Sequence, residues 1–156
     1  MTLKIQLRIH NSKFASVFNT MTAPSQLILA RVEAFRRCDF AFIFASYHLA
    51  SNFRRQFPDR DEYIRYGWAT LGKEFRILAC RVIREERDGT TARVIFWMEF
   101  ELHGVRQRYA ELAWLEADGT GWRYRCGQKL EAEAWPVPAA QLDFVHFDAV
   151  TEKVLY

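Results

Sequence analysis

The sequence predicts an α+β fold, with helices in the first half of the chain and an antiparallel sheet in the second half. Up to Gly72 the apolar residues recur at the spacing of amphipathic helices. Beyond Gly72 they alternate with polar residues, as in strands that bury one face. Turn-forming residues at 103–104 and 118–121 divide this alternating half into strands.

Three helices are expected before the sheet. Ser25 caps the first, which reaches Asp39 and carries apolar residues at helical spacing (Leu27, Ala30, Ala34 and Cys38). Asp39 caps the second, whose wide apolar face holds Phe40, Ile43, Phe44 and Tyr47. The third begins near Pro58–Asp59 and is ended by Gly72.

Four strands are predicted, over residues 74–86, 91–103, 105–117 and 122–130. If His103 and Gly104 form a two-residue turn, Leu102 faces Val105. The same register pairs Glu101 with Arg106, Glu99 with Arg108, Phe96 with Glu111, Glu116 with Arg123, and Leu115 with Tyr124. Three opposite-charge pairs favour this register, since a slip of one residue would exchange the two faces of the sheet.

The register separates two faces of the sheet. The inner face, which we expect under the helices, collects Val94, Phe96, Met98, Phe100, Tyr109, Ala113 and Leu115. The outer face has an apolar centre of Ile95, Trp97, Leu112 and Trp114 inside a rim of Glu and Arg. An apolar centre with a charged rim is typical of protein interfaces, so the sequence predicts a homodimer through the outer face. Cover of this face by the C-terminal tail is the alternative if the protein is monomeric.

The length of 156 residues, half of them hydrophobic, suits one packed domain. Residues 1–24 are expected to be an N-terminal arm or tail, either a short β arm or a mobile segment, and residues 25–156 a single domain. Within that domain residues 130–156 form a tail packed on the body. The net charge of +3 comes from Lys4, Arg8 and Lys13, because the first 24 residues contain no acid and the rest is neutral. A neutral body argues against nucleic-acid binding.

Sequence signals for a membrane, for secretion, for a metal ion and for a nucleotide do not occur. The longest apolar run, Phe40 to Tyr47, is far shorter than the roughly 20 residues of a membrane-spanning helix, and no secretion signal is recognisable. Cys38, Cys80 and Cys126 are dispersed, which predicts neither a metal site nor a disulfide framework. GxGxxG, Walker-loop, GxSxG and HExxH patterns do not occur. We therefore expect a cytoplasmic protein with no membrane or nucleic-acid partner and no cofactor.

The helical half is rich in arginine, at positions Arg31, Arg36, Arg37, Arg54, Arg55, Arg60 and Arg65. Acidic residues interleave with them, at Glu33, Asp39, Asp59, Asp61 and Glu62. Such a mixture predicts a solvated helix face rather than a phosphate site.

Two stretches carry a more specific likeness. The first contains Arg31, Ala34 with Phe35, Asp39 and Tyr47–His48, and the second contains Glu111, Ala113, Leu115, Trp122, Tyr124 and Gly127. Over roughly residues 25 to 130 this pattern resembles the YchJ-type domain of the NTF2-like superfamily. Ala113 and Leu115 stand where that domain usually has Ser and Phe, and its flanking cysteine-rich SEC-C segments do not occur in this sequence.

The resemblance implies a cystatin-like cone, in which three helices cover a curved sheet and leave a pocket between the two layers. Because the SEC-C segments are missing from the sequence, it does not imply a zinc-dependent function. The candidate catalytic residues of such a pocket are His48 and Glu111. A carboxyl group in apolar surroundings has a raised pKa, and an imidazole beside it would serve as a general acid or base.

Candidate ligand-binding residues are Tyr47, His48, Trp68, Tyr109, Glu111 and Tyr124. The structural alternative is that Glu111 hydrogen-bonds a tyrosine or pairs with an arginine such as Arg31, while His48 caps a helix end. Aromatic residues at regular spacing belong to a filled core more often than to a ligand pocket.

Two functions from different classes follow. The first, which we favour, is a non-catalytic module that binds a small ligand or a partner protein and needs only the pocket. The second is a small acid–base enzyme, a hydratase, isomerase or hydrolase, with His48 as general base and Glu111 or Tyr109 positioning the substrate.

Overall fold

The structure is a computed structural model that describes Phe14, residues 16–150 and residues 155–156. Its sheet is antiparallel, has four strands and follows the order β1-β2-β3-β4. The strands are β1 (Phe75–Asp88), β2 (Thr91–Leu102), β3 (Val105–Ala117) and β4 (Trp122–Glu131). Helices cover its inner face, which confirms the predicted α+β fold.

The helical half contains more and shorter helices than the three predicted. Before the sheet lie α1 (Pro24–Arg36), α2 (Phe40–Ser46), α3 (Asn52–Gln56), α4 (Arg60–Ala69) and α5 (Leu71–Glu74). Ser51 and Asp59 each cap a helix, since their side-chain oxygens accept hydrogen bonds from the backbone N–H groups of Arg54 (3.2 Å) and Glu62 (2.7 Å). Gly72 lies inside α5 and does not end a helix, so that prediction is wrong.

The predicted cap of α2 is confirmed, because Asp39 Oδ1 accepts a hydrogen bond of 3.0 Å from the Phe42 N–H. The predicted cap of α1 is wrong. Pro24 occupies the first helical position, where its fixed φ suits a helix start. Ser25 is already inside α1, and its N–H donates to Glu85 Oε2 on β1 at 2.7 Å. Among the described residues no helix is long and apolar enough to span a membrane.

The expectation of an N-terminal arm or tail is wrong for its last part. Residues 16–20 are helical, and the buried Phe18 ring stacks on Phe42 of α2 with 5.1 Å between ring centroids. This segment therefore belongs to the core on the helix side. The alternating residues Leu3 to Ile9 lie outside the described residues.

The predicted strand register is confirmed. Leu102 faces Val105, Glu101 faces Arg106, Glu99 faces Arg108, Phe96 faces Glu111, Glu116 faces Arg123, and Leu115 faces Tyr124. His103 (φ 50°) and Gly104 (φ 76°) both adopt the left-handed conformation that a two-residue hairpin turn requires. The ion pairs are not the directly facing ones, however.

Instead, side chains reach diagonally or into the turn. Arg106 Nε lies 3.0 Å from Glu99 Oε1, and Arg123 Nε lies 3.4 Å from Asp118 Oδ2 in the turn before β4. Long guanidinium side chains reach diagonal neighbours as easily as facing ones. The charged residues that face each other across the strands therefore identify the register correctly, but they do not identify which side chains form ion pairs.

A β-bulge in β4 changes the pairing along the second half of that strand. Leu115 pairs with Tyr124, but Trp114 pairs with Cys126, so Arg125 is an extra residue. The shift places Gly127 opposite Ala113, on the inner face.

The outer face is covered by the chain's own C-terminal segment. This segment, residues 132–150, contains two 3₁₀ turns and α6 (Phe144–Asp148). Its side chains Leu142 and Phe147 pack on Ile95 and Leu112, and all four are 0% exposed. Trp97 and Trp114 at the centre of that face are also partly buried against this cluster.

The prediction that the outer face is exposed to a second copy is therefore wrong. An apolar centre with a charged rim indicates that a face is covered, and here the cover comes from the same chain. Side chains of the sheet also bind its backbone: Gln128 Nε2 donates to the Phe147 carbonyl oxygen at 3.0 Å, and Arg84 Nε to that of Leu142 at 3.0 Å. These contacts hold the segment in one position.

Phe147→Ala is expected to lower the free energy of unfolding by about 3–5 kcal/mol, because it opens a cavity beneath the C-terminal segment. Urea denaturation followed by tryptophan fluorescence measures the loss. Val145→Ala is the matched control on the same helix, since Val145 is 65% exposed, and its effect should stay within about 0.5 kcal/mol. Equal small losses in both variants would show that the segment does not cover the outer face.

Candidate functional site

A cavity of about 670 Å³ lies between the helices and the inner face of the sheet. Its walls are mostly apolar, with Ile28, Val32 and Phe35 from α1, Phe53 from α3, and Phe96, Met98 and Phe100 from β2. This volume falls within the range of about 300–1,000 Å³ that small-molecule sites occupy.

One end of the cavity is polar, formed by Arg31, Tyr109, Glu111 and Tyr124, which we call the polar end. Glu111 is 5% exposed, and its Oε1 accepts a hydrogen bond from the Tyr124 hydroxyl. Burial raises the pKa of Glu111, against the opposing effects of Lys129, the Tyr124 hydrogen bond and Arg31. The carboxyl group thus holds its proton to higher pH than an exposed glutamate.

Arg31 joins α1 to this end of the cavity. Its guanidinium lies between two aromatic rings, 4.4 Å from the Tyr47 centroid and 4.5 Å from the Tyr124 centroid, and donates to Ser46 Oγ. Burial acts to lower the pKa of Arg31, but Tyr47, Tyr124 and Glu111 together raise it above the ordinary value. The cavity therefore holds two basic side chains close to the Glu111 carboxyl group, Arg31 and Lys129.

Tyr109 contributes a hydroxyl with a weak partner. It donates to Met98 Sδ at 3.5 Å, and sulfur is a poor acceptor. Burial, followed by the nearby Glu111, raises the pKa of Tyr109 well above 10.0, so the hydroxyl keeps its proton. A ligand oxygen that reached this hydroxyl would be a better acceptor than the thioether.

Two local features of the backbone position the polar end. Tyr47 is extended and forms a bridge with Tyr124, and the next N–H, of His48, donates to the Tyr124 carbonyl oxygen at 2.8 Å. Gly127 faces the hydrogen-bonded pair, and a Cβ at this position would overlap both Tyr124 Oη and Glu111 Oε1. The pair fits because position 127 has no side chain.

The structure does not bring His48 to this cavity, so the predicted pairing of His48 with Glu111 is wrong. His48 Nδ1 accepts from the Ala50 N–H at 3.1 Å, and its Nε2 lies 3.9 Å from Glu116 Oε2. The imidazole thus stabilises the turn between α2 and α3, whereas the structural alternative expected it to cap a helix end.

Trp68 is also misplaced by the prediction. It is 55% exposed and packs edge-on against Phe40, outside the cavity. The other predicted residues, Tyr47, Tyr109, Glu111 and Tyr124, all line the cavity.

Sequence reasoning missed several lining residues. Asn52, Phe53 and Gln56 come from α3, which was not predicted, and Lys129 faces Glu111 only because of the bulge in β4. Arg31 was considered only as a structural partner of Glu111. Within the described part of the chain, no three His, Cys, Asp or Glu side chains gather closely enough to hold a metal ion.

Helices packed on one face of a four-stranded antiparallel sheet, with a cavity between the layers, define a protein of the NTF2-like class. The model of the family described as "YchJ, middle NTF2-like domain" matches residues 23–127, and the chain belongs to this family. The resemblance seen in the residues is thereby confirmed.

One solved structure with this fold is the solution structure of a SEC-C motif containing protein from Rhodopseudomonas palustris. It is 22% identical, with a TM-score of 0.55, and the match covers 70% of this chain and 80% of that one. The likeness supports the fold. A search of curated proteins finds no match.

Gly127→Ala is expected to lower the free energy of unfolding by about 1–3 kcal/mol, because the new methyl group must displace the Tyr124–Glu111 pair. Chemical denaturation measures this change. The control is Gly72→Ala in α5, where a Cβ meets its nearest neighbour at an ordinary 3.4 Å. It should be neutral or stabilising by up to about 1 kcal/mol. A neutral Gly127→Ala would contradict the close packing of the pair.

Glu111→Gln is expected to become more favourable relative to wild type as the pH rises above the ordinary glutamate value of 4.5. A raised pKa in the folded state means that the folded protein binds the proton more tightly than the unfolded chain. Its stabilising effect is complete below the unfolded value and is lost as the pH rises through the folded pKa. Gln keeps a hydrogen-bond acceptor but has no proton to lose.

The measurement is the difference in free energy of unfolding between wild type and Glu111→Gln from pH 4 to pH 8. Glu133→Gln, an exposed site, gives the effect of removing a surface carboxylate. A difference that does not change with pH, or that favours wild type at higher pH, would contradict the raised pKa of Glu111.

Proposed function

We propose that this chain is a binding module that holds a small, mainly apolar molecule in the cavity between its helices and its sheet. The observation that carries the proposal is the combination of apolar walls with the buried Glu111–Tyr124 pair at one end. Such pockets commonly use apolar walls for affinity and a few fixed polar groups for orientation.

The polar end favours a ligand that carries a carbonyl or hydroxyl oxygen. Tyr109 offers a hydroxyl whose described partner is only a sulfur atom, and a protonated Glu111 is itself a donor. Arg31 adds a positive charge beside them. An oxygen acceptor at this point would receive hydrogen bonds, while the rest of the ligand contacts the aliphatic and aromatic walls.

The acid–base enzyme is less well supported than the binding module. Its general base, His48, lies outside the cavity and hydrogen-bonds within its own turn. Proton transfer would then fall to Glu111, whose raised pKa suits that role. Turnover of a bound compound that is lost in Glu111→Gln would favour this alternative.

The outer face was expected to bind a partner protein or a second copy because it was expected to be exposed, and it is not. Ile95 and Leu112 are buried beneath the C-terminal segment. A homodimer through this face therefore remains a prediction without that motivation, and the cavity becomes the better candidate for binding.

The test is a thermal-shift screen of small ketones, alcohols and carboxylic acids with mainly apolar bodies. A compound present at about 100 times its Kd should stabilise the fold by about 2.7 kcal/mol. Tyr109→Phe, which removes one hydroxyl and keeps the ring, should weaken binding of a stabilising compound about tenfold. The expected loss is similar or larger for Glu111→Gln.

His48→Ala is the matched control, because His48 lies outside the cavity. It should leave the shift produced by a bound compound unchanged. Compounds that bind wild type, Tyr109→Phe and Glu111→Gln equally well would place binding elsewhere, and a screen without any stabilising compound would count against a small-molecule function.

A further inference from the structure

A second cleft, of about 340 Å³, lies beside the end of α2 and is separate from the polar end. Three arginines line it, Arg54 from α3, Arg60 from α4 and Arg123 from β4, together with one acid, Asp118. We call it the arginine cleft. Its lining carries three positive charges and one negative charge, which leaves an excess of two positive charges.

Arg123 uses its donors within the protein. Its Nη1 donates to the Trp122 carbonyl oxygen at 2.9 Å, its Nη2 to Thr120 Oγ1 at 2.8 Å, and its Nε lies 3.4 Å from Asp118 Oδ2. Its guanidinium also lies 3.8 Å from the Phe18 ring centroid. Arg123 therefore forms a fixed wall and takes up the charge of Asp118.

Among the described residues, Arg54 has no such partner. Its guanidinium lies 4.0 Å from the centroid of the Phe44 ring, and no carboxylate of the described residues comes within 4.0 Å of it. Of the residues outside the described ranges, 1–13 and 15 contain no acidic side chain and 151–154 contain one, Glu152. Burial lowers the pKa of Arg54, the effect of a charge that is partly removed from water without an opposite charge to offset it.

Arg60 is only weakly matched. Its Nη1 lies 3.2 Å from Asp61 Oδ1, but the Asp61 side chain is 74% exposed, and ion pairs at such sites contribute little. The guanidinium of Arg60 thus remains available to a ligand in the cleft.

Three of the acidic residues that interleave with these arginines in the sequence are used elsewhere. Asp59 caps α4, Asp39 caps α2, and Glu33 pairs with Arg36 at 2.5 Å. The sequence predicts a solvated helix face on which acids neutralise the arginines. This prediction holds for Arg36 but not for Arg54. Alternation of charge along the chain does not ensure neutralisation in space.

We propose that the arginine cleft binds an oxyanion, a phosphate or a carboxylate, carried on an aromatic or aliphatic group. Arg54 and Arg60 hold the anion, since the planar guanidinium matches the geometry of both oxyanions. Phe14, Phe44 and Leu49, which also line the cleft, contact the apolar part of the ligand. Among the described residues that line the cleft, Asp118 is the one acidic side chain that would repel an anion.

The test is isothermal titration of the full chain with phenyl phosphate, benzoate and inorganic phosphate at low ionic strength. Binding of phenyl phosphate or benzoate is expected, and the stronger of the two identifies the preferred oxyanion. Inorganic phosphate should bind more weakly than phenyl phosphate, because it cannot contact the apolar wall. Arg54→Gln should weaken binding at least tenfold.

Arg55→Gln is the matched control, because Arg55 is the exposed neighbour on the same helix and its loss changes the net charge equally. It should change the Kd by less than twofold. Arg54→Lys, which keeps the charge without the planar fork, should give an intermediate Kd. Urea denaturation of each variant verifies that it folds.

Three results would overturn the proposal. Wild type that binds neither aromatic anion at millimolar concentration would show that the cleft is not an anion site. Equal losses in Arg54→Gln and Arg55→Gln would show attraction by net charge alone. Binding that survives Arg54→Gln but is lost in Lys129→Gln would place the anion in the larger cavity, which Lys129 lines.

Discussion

The hydrogen bond between Tyr124 and Glu111 sets requirements that the surrounding structure must meet. A carboxyl group at this depth is costly unless it has partners, and the sheet provides them through the bulge at Arg125. Without that extra residue, Cys126 rather than Gly127 would lie opposite Ala113 on the inner face. A side chain there would overlap the pair. Arg31 then packs on the ring of Tyr124 and connects the helical layer to the same cluster.

Turn chemistry and facing charges were enough to predict the register of the sheet, because both act between neighbouring residues. The bulge was missed because Tyr124, Cys126 and Gln128 continue a regular alternation. Gly127 inside this strand was the one local sign of a bulge or a close backbone approach. The sequence could predict that the outer face is covered, but not which part of which chain covers it. Its composition requires burial, but the choice between a second copy and a distant segment of the same chain depends on contacts such as Phe147 with Leu112.

The residues of the candidate site also fall into those that local sequence patterns predicted and those that they did not. Glu111, Tyr109 and Tyr124 were placed on one face by strand alternation, and the structure brings them together. His48 was placed by continuing the spacing of a helix that in fact ends at Ser46. The short helices α3 and α5 were missed, whereas α4 corresponds to the predicted third helix. The start of α3 depends on a single capping residue, Ser51, and without α3 the sequence reasoning lost the wall that Phe53 provides.

The end of α2 explains both the failure at His48 and the division of the interior into two spaces. Tyr47 is extended and paired with Tyr124, so side chains at 47 and 48 alternate as in a strand. Tyr47 then faces inward, where its ring stacks on Phe53 and contacts Arg31, and His48 faces away. Because Tyr47 lines both the cavity and the arginine cleft, this residue separates the two spaces. The bridge that removes His48 from the cavity thus also gives the cleft its own wall.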